Sequence, residues 1–400
     1  MKILMVAPEP FFQSRGTPIS ELYRCKALAE LGHSIDMVTY AIGEDVKIRN
    51  LKICRTLGLP FVKDIKIGFS YTKLLFDVFL FVKSLKMLLV NKYDCIHTHQ
   101  EAGAMGVLFK KIFRIPHTYD YHSNFSEELE GCGTTKNRML KNMLQGMINW
   151  IIKNSDFIIA VFPGLEDDIV KVNQKKDNYA IIFNRPLTRS AKKISAVDIE
   201  RLRSELGIKP GELTVVYIGT FEAYQGVDLL IKSLPEIVKN NSVRNRFRLV
   251  LVGGANEQIQ NMRKLAEELR VIEKVIFAGK KPKEEMPLYH KFADILVSTR
   301  SIGTNVPLKI YSYMHAVRPI VVTDIIAHTQ ALDKNCAVFV KPNEKSIAKG
   351  IIRVLTDSKL RNVLAQNAYG LYQKKYNYKE FMASTKYACD YIENIIRSVS

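Results

Sequence analysis

The chain has 400 residues, more than one hydrophobic core usually organises, so two domains are expected. With 47% hydrophobic and 25% charged residues it has a globular balance, which excludes a disordered or fibrous class. Its net charge of +19 favours polyanionic neighbours; with no Lys/Arg block and no zinc-finger, RRM or KH signature, no nucleic acid is expected, leaving phosphorylated substrates or an anionic membrane.

The opening run Met1 to Ala7 is apolar and stops at Pro8-Glu9-Pro10. It is too short for a signal peptide and reads as a buried first strand. Further strands are predicted near 35–40, 94–98, 115–119, 157–161 and 180–183, with helices near 18–31, 72–91, 101–112, 136–154 and 164–173. The stretch Asn184 to Lys193 is polar and basic with one proline, and reads as a linker. Alternation then resumes, with strands near 213–218, 247–252, 274–277, 294–298, 319–322 and 337–340. Helices accompany them near 198–206, 226–239, 257–270, 284–291, 307–316, 325–332, 344–356 and 358–374. The prediction is therefore α/β: two doubly wound, Rossmann-like parallel-sheet domains over 1–190 and 191–377, facing a central cleft. Six scattered cysteines without paired spacing predict a reduced, cytoplasmic setting.

Several strand-to-helix loops carry residues suited to ligand chemistry. After the first strand, Arg15 stands beside Gly16, where a missing Cβ lets backbone approach a ligand. Asp120-Tyr121-His122 ends the strand at 115–119, at the sheet edge where ligands of such folds sit. His97-Thr98-His99 puts two rings on one strand face; with Glu101 and His117 it invites a metal reading, but a pocket-lining pair is favoured and no metal is assigned. The loop Gly219 to Gly226 is phosphate-loop-like but holds no cation, only Glu222. The stretch Arg300 to Ser312 passes from a strand through a Gly303 turn into a helix N-terminus, a place for an anion.

Leu74 to Val90 is almost continuously apolar, with Asp77, Ser84 and Asn91 as a narrow polar stripe. Asp77, Lys83 and Lys86 interrupt it, so a spanning helix is not expected. Two readings stand: a buried core helix, or an amphipathic segment on an anionic membrane helped by Lys63, Lys66, Lys73, Lys83, Lys86 and Lys92, within 63–92.

Together these pieces resemble the GT-B glycosyltransferases, specifically the retaining enzymes of family 4, over nearly the whole chain. The Gly16 loop is similar to the family's first glycine-rich loop, and Asp120-Tyr121-His122 to the segment bearing its active-site histidine. Asn184 stands where the family has an Asn-Gly turn. Tyr217-Ile218-Gly219 with Gly226 to Leu230, Phe277-Ala278-Gly279, and Pro307-Leu308-Lys309 with Arg318 to Val322 resemble the donor domain. The resemblance implies a UDP- or GDP-linked nucleotide sugar held by the second domain, and a hydroxyl acceptor, lipid-linked or polysaccharide, bound by the first. It also implies metal-independent hexosyl transfer with retention, no cofactor, and a last helix over 378–400 crossing back onto the first domain. A role in cell-envelope polysaccharide synthesis, at the inner face of the cell membrane, goes with it.

The sequence departs from the family at four polar positions. An Arg and a Lys expected in the donor-domain loop are Thr220 and Gln225, and two glutamates expected across the donor loop are Thr304 and Ser312. Lys309, Arg300 and Arg15 are the candidate replacements for diphosphate binding. Backbone groups of Gly16 and of Gly303, Thr304, Asn305 and Val306 would shape the sugar pocket; Gly219, Thr220, Gln225, Pro307, Leu308 and Ser312 are further donor-binding candidates, and Asp120 and His122 the catalytic ones. The rival readings are a non-catalytic nucleotide-sugar-binding homologue and a GT-B sugar epimerase.

Overall fold

The computed structural model describes residues 1–13, 16–59, 62, 65, 71–123, 138–173, 177–183 and 194–399. The candidate Arg15, the linker at Asn184 to Lys193, and Lys63 and Lys66 lie outside the described residues. The chain divides into two compact units, Met1–Arg185 with Tyr378–Ser400, and Pro186–Asn377.

The first unit carries strands β1 (Lys2–Ala7), β2 (Ser34–Thr39), β3 (Leu51–Arg55), β4 (Cys95–His99), β5 (His117–Tyr121), β6 (Phe157–Ala160) and β7 (Tyr179–Ile181). They form one parallel sheet in the order β3-β2-β1-β4-β5-β6-β7. Its helices are α1 (Gly16–Glu30), α2 (Tyr71–Val90), α3 (Gly103–Phe113), α4 (Arg138–Asn154), α5 (Glu166–Val172) and the C-terminal Tyr378–Val399. Strand order reverses between β1 and β4, and the carboxyl ends at such a reversal form the natural ligand crevice. Glu9, His99, Asp120 and His122 all fall at that edge.

The sequence reading lacks β3. Only β2 pairs with it, its residues are at most half-buried apart from exposed Lys52, and edge strands carry weaker apolar patterning than central ones. Central β1, by contrast, buries Ile3 through Ala7 completely or nearly so.

The second unit holds β8 (Leu213–Ile218), β9 (Phe247–Val252), β10 (Val275–Gly279), β11 (Ile295–Ser298), β12 (Ile320–Thr323) and β13 (Val338–Val340), all parallel, in the order β10-β9-β8-β11-β12-β13. The reversal here lies between β8 and β11, so the loops after these strands, Gly219 to Gly226 and Arg300 to Pro307, share one edge. The intervening helices are α6 (Ala196–Glu205), α7 (Val227–Lys239), α8 (Asn256–Glu268), α9 (Met286–Phe292), α10 (Leu308–His315), α11 (Ile326–Thr329), α12 (Glu344–Thr356) and α13 (Ser358–Lys375). The C-terminal helix above is α14. On one sheet face, α7 and α12 bury Leu230, Ile231, Leu234 and Ile237 with Ile347, Ile351 and Val354 in a single core. Helix starts are fixed locally: Asn343 accepts from Ser346 N at 2.9 Å, and Ser195 with Asp198 forms a reciprocal capping box.

Asp77 and Ser84 of the polar stripe point inward from α2, while Asn91, just past its end, is exposed. Ser84 is fully buried, and Asp77 accepts from Tyr40 Oη at 2.5 Å. The outward face is apolar: Val78, Val82, Leu89 and Val90 are 55–70% exposed. Lys73 corrects the membrane reading, because it is turned inward to pair with Glu101.

Candidate functional site

In the first unit, β4 and β5 bring His97, His99, Asp120 and His122 together under α1. Alternation along β4 puts His97 and His99 on the same face, while Thr98 between them bonds His117 Nε2 at 2.6 Å on the other. His117 is thus removed from any grouping with His97 and His99; its second nitrogen meets Ser155 at 3.2 Å. Asp120, fully buried, accepts from Arg24 Nε at 2.9 Å and from His97 Nε2 at 3.3 Å through one oxygen. Its other oxygen lies 3.2 Å from His122 Nε2, and His122 is 3.0 Å from His99 Nδ1.

Burial alone would raise the Asp120 pKa, but the Arg24 guanidinium, His122 and His97 outweigh it and hold the carboxyl well below its ordinary range. Asp120 is therefore a fixed negative charge. Burial pushes His97 and His99 down, so both rings are neutral near pH 7. His122 Nε2 is hydrogen-bonded to His99 Nδ1, and the Asp120 charge lies beside it. Arg24 in turn reaches Thr385 Oγ1 of α14 at 3.4 Å and stacks on Phe381 at 5.6 Å.

His97, His99 and Asp120 present three ligand atoms within 4.8 Å of one another, a grouping that resembles a metal site. Arg24 stands against that use, because its Nε donates to the Asp120 oxygen that a metal would need.

The sequence reading missed Glu9, Glu21 and Arg24. Glu21 and Arg24 are three residues apart on α1 and look like the solvated face of an amphipathic helix, yet they are 0% and 2% exposed. The one available signal was that Asp120, an acid in a strand of the central sheet, needed a cation.

In the second unit, Lys309 in the first turn of α10 crosses to the loop after β8. Its Nζ donates to Gln225 Oε1 at 3.1 Å and lies 4.1 Å above the centre of the Tyr217 ring. Gly219, at φ +152°, makes room: a Cβ there would sit 2.7 Å from Lys309 Nζ. Gly226, at φ +65°, lies so close to Thr299 O that any side chain would collide with it. The loop that lacks a cation of its own thus receives one from α10. Burial, and then Arg300, push the Lys309 amine down to about 7.

Arg300 folds back over its own loop. Nε donates to Ile302 O at 2.8 Å and Nη1 to Asn305 O at 3.0 Å, while the guanidinium stacks 5.2 Å from the Tyr224 ring. It shapes the Gly303 turn as well as charging it. Thr304 O accepts from Gln330 Nε2 at 2.8 Å, and Thr304 Oγ1 meets Asn305 Oδ1 at 3.5 Å. Val306, Pro307, Leu308 and Ser312 remain half-buried around the start of α10. Thr220 O accepts from Tyr217 Oη at 2.7 Å, which ties the β8 loop to its own strand.

Two family models match the chain: "Glycosyltransferase Family 4" over residues 22–184 and "Glycosyl transferases group 1" over residues 198–371. An uncharacterised glycosyltransferase of Methanocaldococcus jannaschii is 25% identical over 373 residues, 90% of this chain and 91% of the relative. An alpha-monoglucosyldiacylglycerol synthase of Streptococcus pneumoniae is 23% identical over 314 residues, 76% of this chain and 67% of the relative. Anabaena HepE, solved in complex with UDP-glucose, has the same fold, with TM-score 0.72 and 16% identity over 99% of each chain. Two reversed parallel sheets with their loops at the switch points, and a family match to each half, make the chain a GT-B glycosyltransferase of the family-4-like kind.

Proposed function

We propose that the second unit binds the diphosphate of a nucleotide sugar and that the chain moves its hexosyl group, with retention, to a hydroxyl of a lipid-linked acceptor. The observation that carries this reading is Lys309, whose amine rests between Gly219, Gln225 and Tyr217 at the sheet edge. It restores a cation where Gln225 replaces one. Arg300 adds a second positive charge, and the start of α10, which no side chain caps, turns the positive end of its dipole to the leaving diphosphate. His122, bonded to His99 and beside the Asp120 charge, is the candidate to serve the transferred sugar. HepE was solved with UDP-glucose, which supports a UDP-linked donor. No metal takes part in this reading.

Calorimetric titration with UDP-glucose and GDP-mannose tests it. Binding of either supports the donor site, and no binding at millimolar concentration removes the function. Following donor consumption then separates the rivals. Turnover that needs an acceptor is transfer, conversion without one is epimerisation, and binding without turnover is a non-catalytic homologue.

The lipid part rests on α2 and α3. Leu74, Leu75, Val78 and Val82 of α2 and Leu108 and Ile112 of α3 form an exposed apolar surface, with Lys86 and Lys111 also exposed. Among the described residues no helix is long and apolar enough to cross a membrane. Such a face suits the headgroup boundary of an anionic bilayer, where each buried Val or Leu contributes about 1.5–3 kcal/mol and each nearby cation about 1 kcal/mol. The relative from Streptococcus pneumoniae is named for a glucosyldiacylglycerol product, consistent with a lipid acceptor and a cytoplasmic, membrane-apposed enzyme. The protein is expected to float with vesicles containing anionic phospholipid, and Val78→Glu with Val82→Glu to stay at the bottom of the gradient. Equal flotation of the two would remove the membrane reading.

A further inference from the structure

Strands β8 and β11 meet at the switch point of the second unit, and their pairing stops short of the crevice edge. Ile295 pairs with Val215 and Leu296 with Val216. In a parallel ladder the next bond on that side would run from Ile218 N to Val297 O. The hydroxyl of Tyr313 stands between them instead. Its Oη accepts from Ile218 N at 3.1 Å and donates to Val297 O at 3.4 Å. The phenol thus wedges the two strands apart, while both buried backbone groups keep a partner. Tyr313 is itself fully buried, with its ring edge-on to His290 at 5.7 Å. Burial raises its pKa, so it remains a phenol with one proton to give.

This rung comes from a helix rather than a strand. Tyr313 lies on α10 four residues after Lys309, so the two side chains leave one face of the helix a turn apart. Tyr313 ties that helix to the ends of β8 and β11, and Lys309 reaches the loop that follows β8. The receiving side is also fixed. Tyr217 Oη donates to Thr220 O at 2.7 Å, Thr299 Oγ1 to Gln225 O at 3.2 Å, and Ser301 N to Tyr224 O at 2.9 Å. The loops after β8 and β11 therefore form one piece, and the depth of α10 sets where the amine rests on it. Among the described residues, Arg300, Tyr217 and His328 are the ionisable groups near that amine. Burial pushes His328 down to about 4, so it is neutral there.

We propose that Tyr313 is a positioning residue for sugar transfer: by supplying the rung between β8 and β11 it sets the depth of α10 and seats the Lys309 amine over the β8 loop. The use of that amine rests on the donor reading above, but its placement does not. Without the hydroxyl, Ile218 N and Val297 O can satisfy one another only by closing the strands. That closure displaces α10 outward and returns the amine to water.

The test is Tyr313→Phe, which keeps the ring and removes one oxygen. Competitive acetylation of the nucleotide-free protein with acetic anhydride, read by mass spectrometry of the Lys309 peptide, reports the acidity of that amine. Its midpoint of about 7 in the wild type should rise by at least about one pH unit in the variant, towards an ordinary lysine. Ile237→Val, which loosens α7 in the core of the same unit, is the control: it should lower the urea midpoint and leave the Lys309 midpoint where it was. An unchanged Lys309 midpoint in Tyr313→Phe overturns the proposal, whatever that variant's stability. A double-mutant cycle gives a second reading at about pH 6, where the amine is charged in both proteins. Tyr313→Phe should weaken UDP-glucose binding about tenfold in the wild type and no further in Lys309→Met, because it acts through that amine. Equal weakening in both backgrounds also overturns it. Acetylation needs no nucleotide, so its outcome is separate from the UDP-glucose titration that decides the donor reading.

Discussion

Lys309→Met is expected to abolish most transfer while leaving the fold intact. Methionine keeps an unbranched apolar stem over Tyr217 and removes only the charge. Loss of one preorganised donor to a developing anion typically lowers kcat by roughly 100- to 1000-fold. Here the loss should sit at the high end, because Thr220 and Gln225 offer no second cation on the loop. Steady-state release of the nucleoside diphosphate measures it. The decisive control is the double variant Lys309→Met with Gln225→Lys, which returns a cation to the same loop. Recovery of a substantial part of the activity shows that the charge mattered. No recovery, together with a single variant less than about tenfold impaired, would place the diphosphate elsewhere.

The same lysine sets a pH dependence for donor binding. Its amine is pushed down to about 7 in the free protein, so it is charged below that pH and neutral above it. A bound diphosphate favours the charged form and raises the pKa again. Between the two values, binding takes up a proton, so affinity for UDP-glucose should be level below pH 7 and weaken towards tenfold per pH unit above it. UDP-glucose suits the measurement because its diphosphate, esterified at both ends, does not titrate near neutrality. Calorimetry at pH 8 in buffers of different ionisation enthalpy reads the proton directly. A profile flat from pH 6.5 to 8.5, or one that persists in Lys309→Met, would refute the assignment.

Legibility in the sequence followed locality. Strand-helix alternation is set within windows of ten residues or so, so every strand but the edge strand β3 could be read directly. Asp120 and His122 were legible as the carboxyl end of the strand predicted at 115–119, although Asp120 itself lies within β5. The Lys309 to Gln225 contact joins residues 84 apart, and nothing local to either marks the other. Glu21 and Arg24 were hidden more deeply, because charge on a helix ordinarily marks the solvated face. Here α1 turns that face to the sheet, where Asp120 awaits a cation and Glu9 a second carboxyl. Buried ionic groups invert the usual pattern, and only the fold shows which partner permits it.

Removing that cation has the largest expected effect on stability. Arg24→Met should cost about 3–5 kcal/mol, because it leaves the Asp120 charge buried with no guanidinium to offset it. The protein has two units that need not unfold together, so a global signal is ambiguous. Its single tryptophan, Trp150 on α4, lies in the first unit and reports that unit alone. Urea titration followed by Trp150 fluorescence should show a lower midpoint for Arg24→Met. Acid adds a signed check. The Asp120 pKa is held well below 3.8 in the native protein, so its stabilising contribution is present above that value and lost as pH falls through the native one. Without Arg24 the native pKa rises, and acid unfolding of the variant should begin at higher pH than in the wild type. Arg24→Met with Asp120→Asn should be more stable than Arg24→Met alone, since no uncompensated charge is then buried, although His97 and His122 lose their anionic partner. If the double variant is no better than the single one, the cost of losing Arg24 is packing against Phe381 and Thr385 rather than charge, and the ionic account of the cluster fails. If it recovers stability yet transfers no sugar, Asp120 is needed for its charge beside His122 and not for holding the fold.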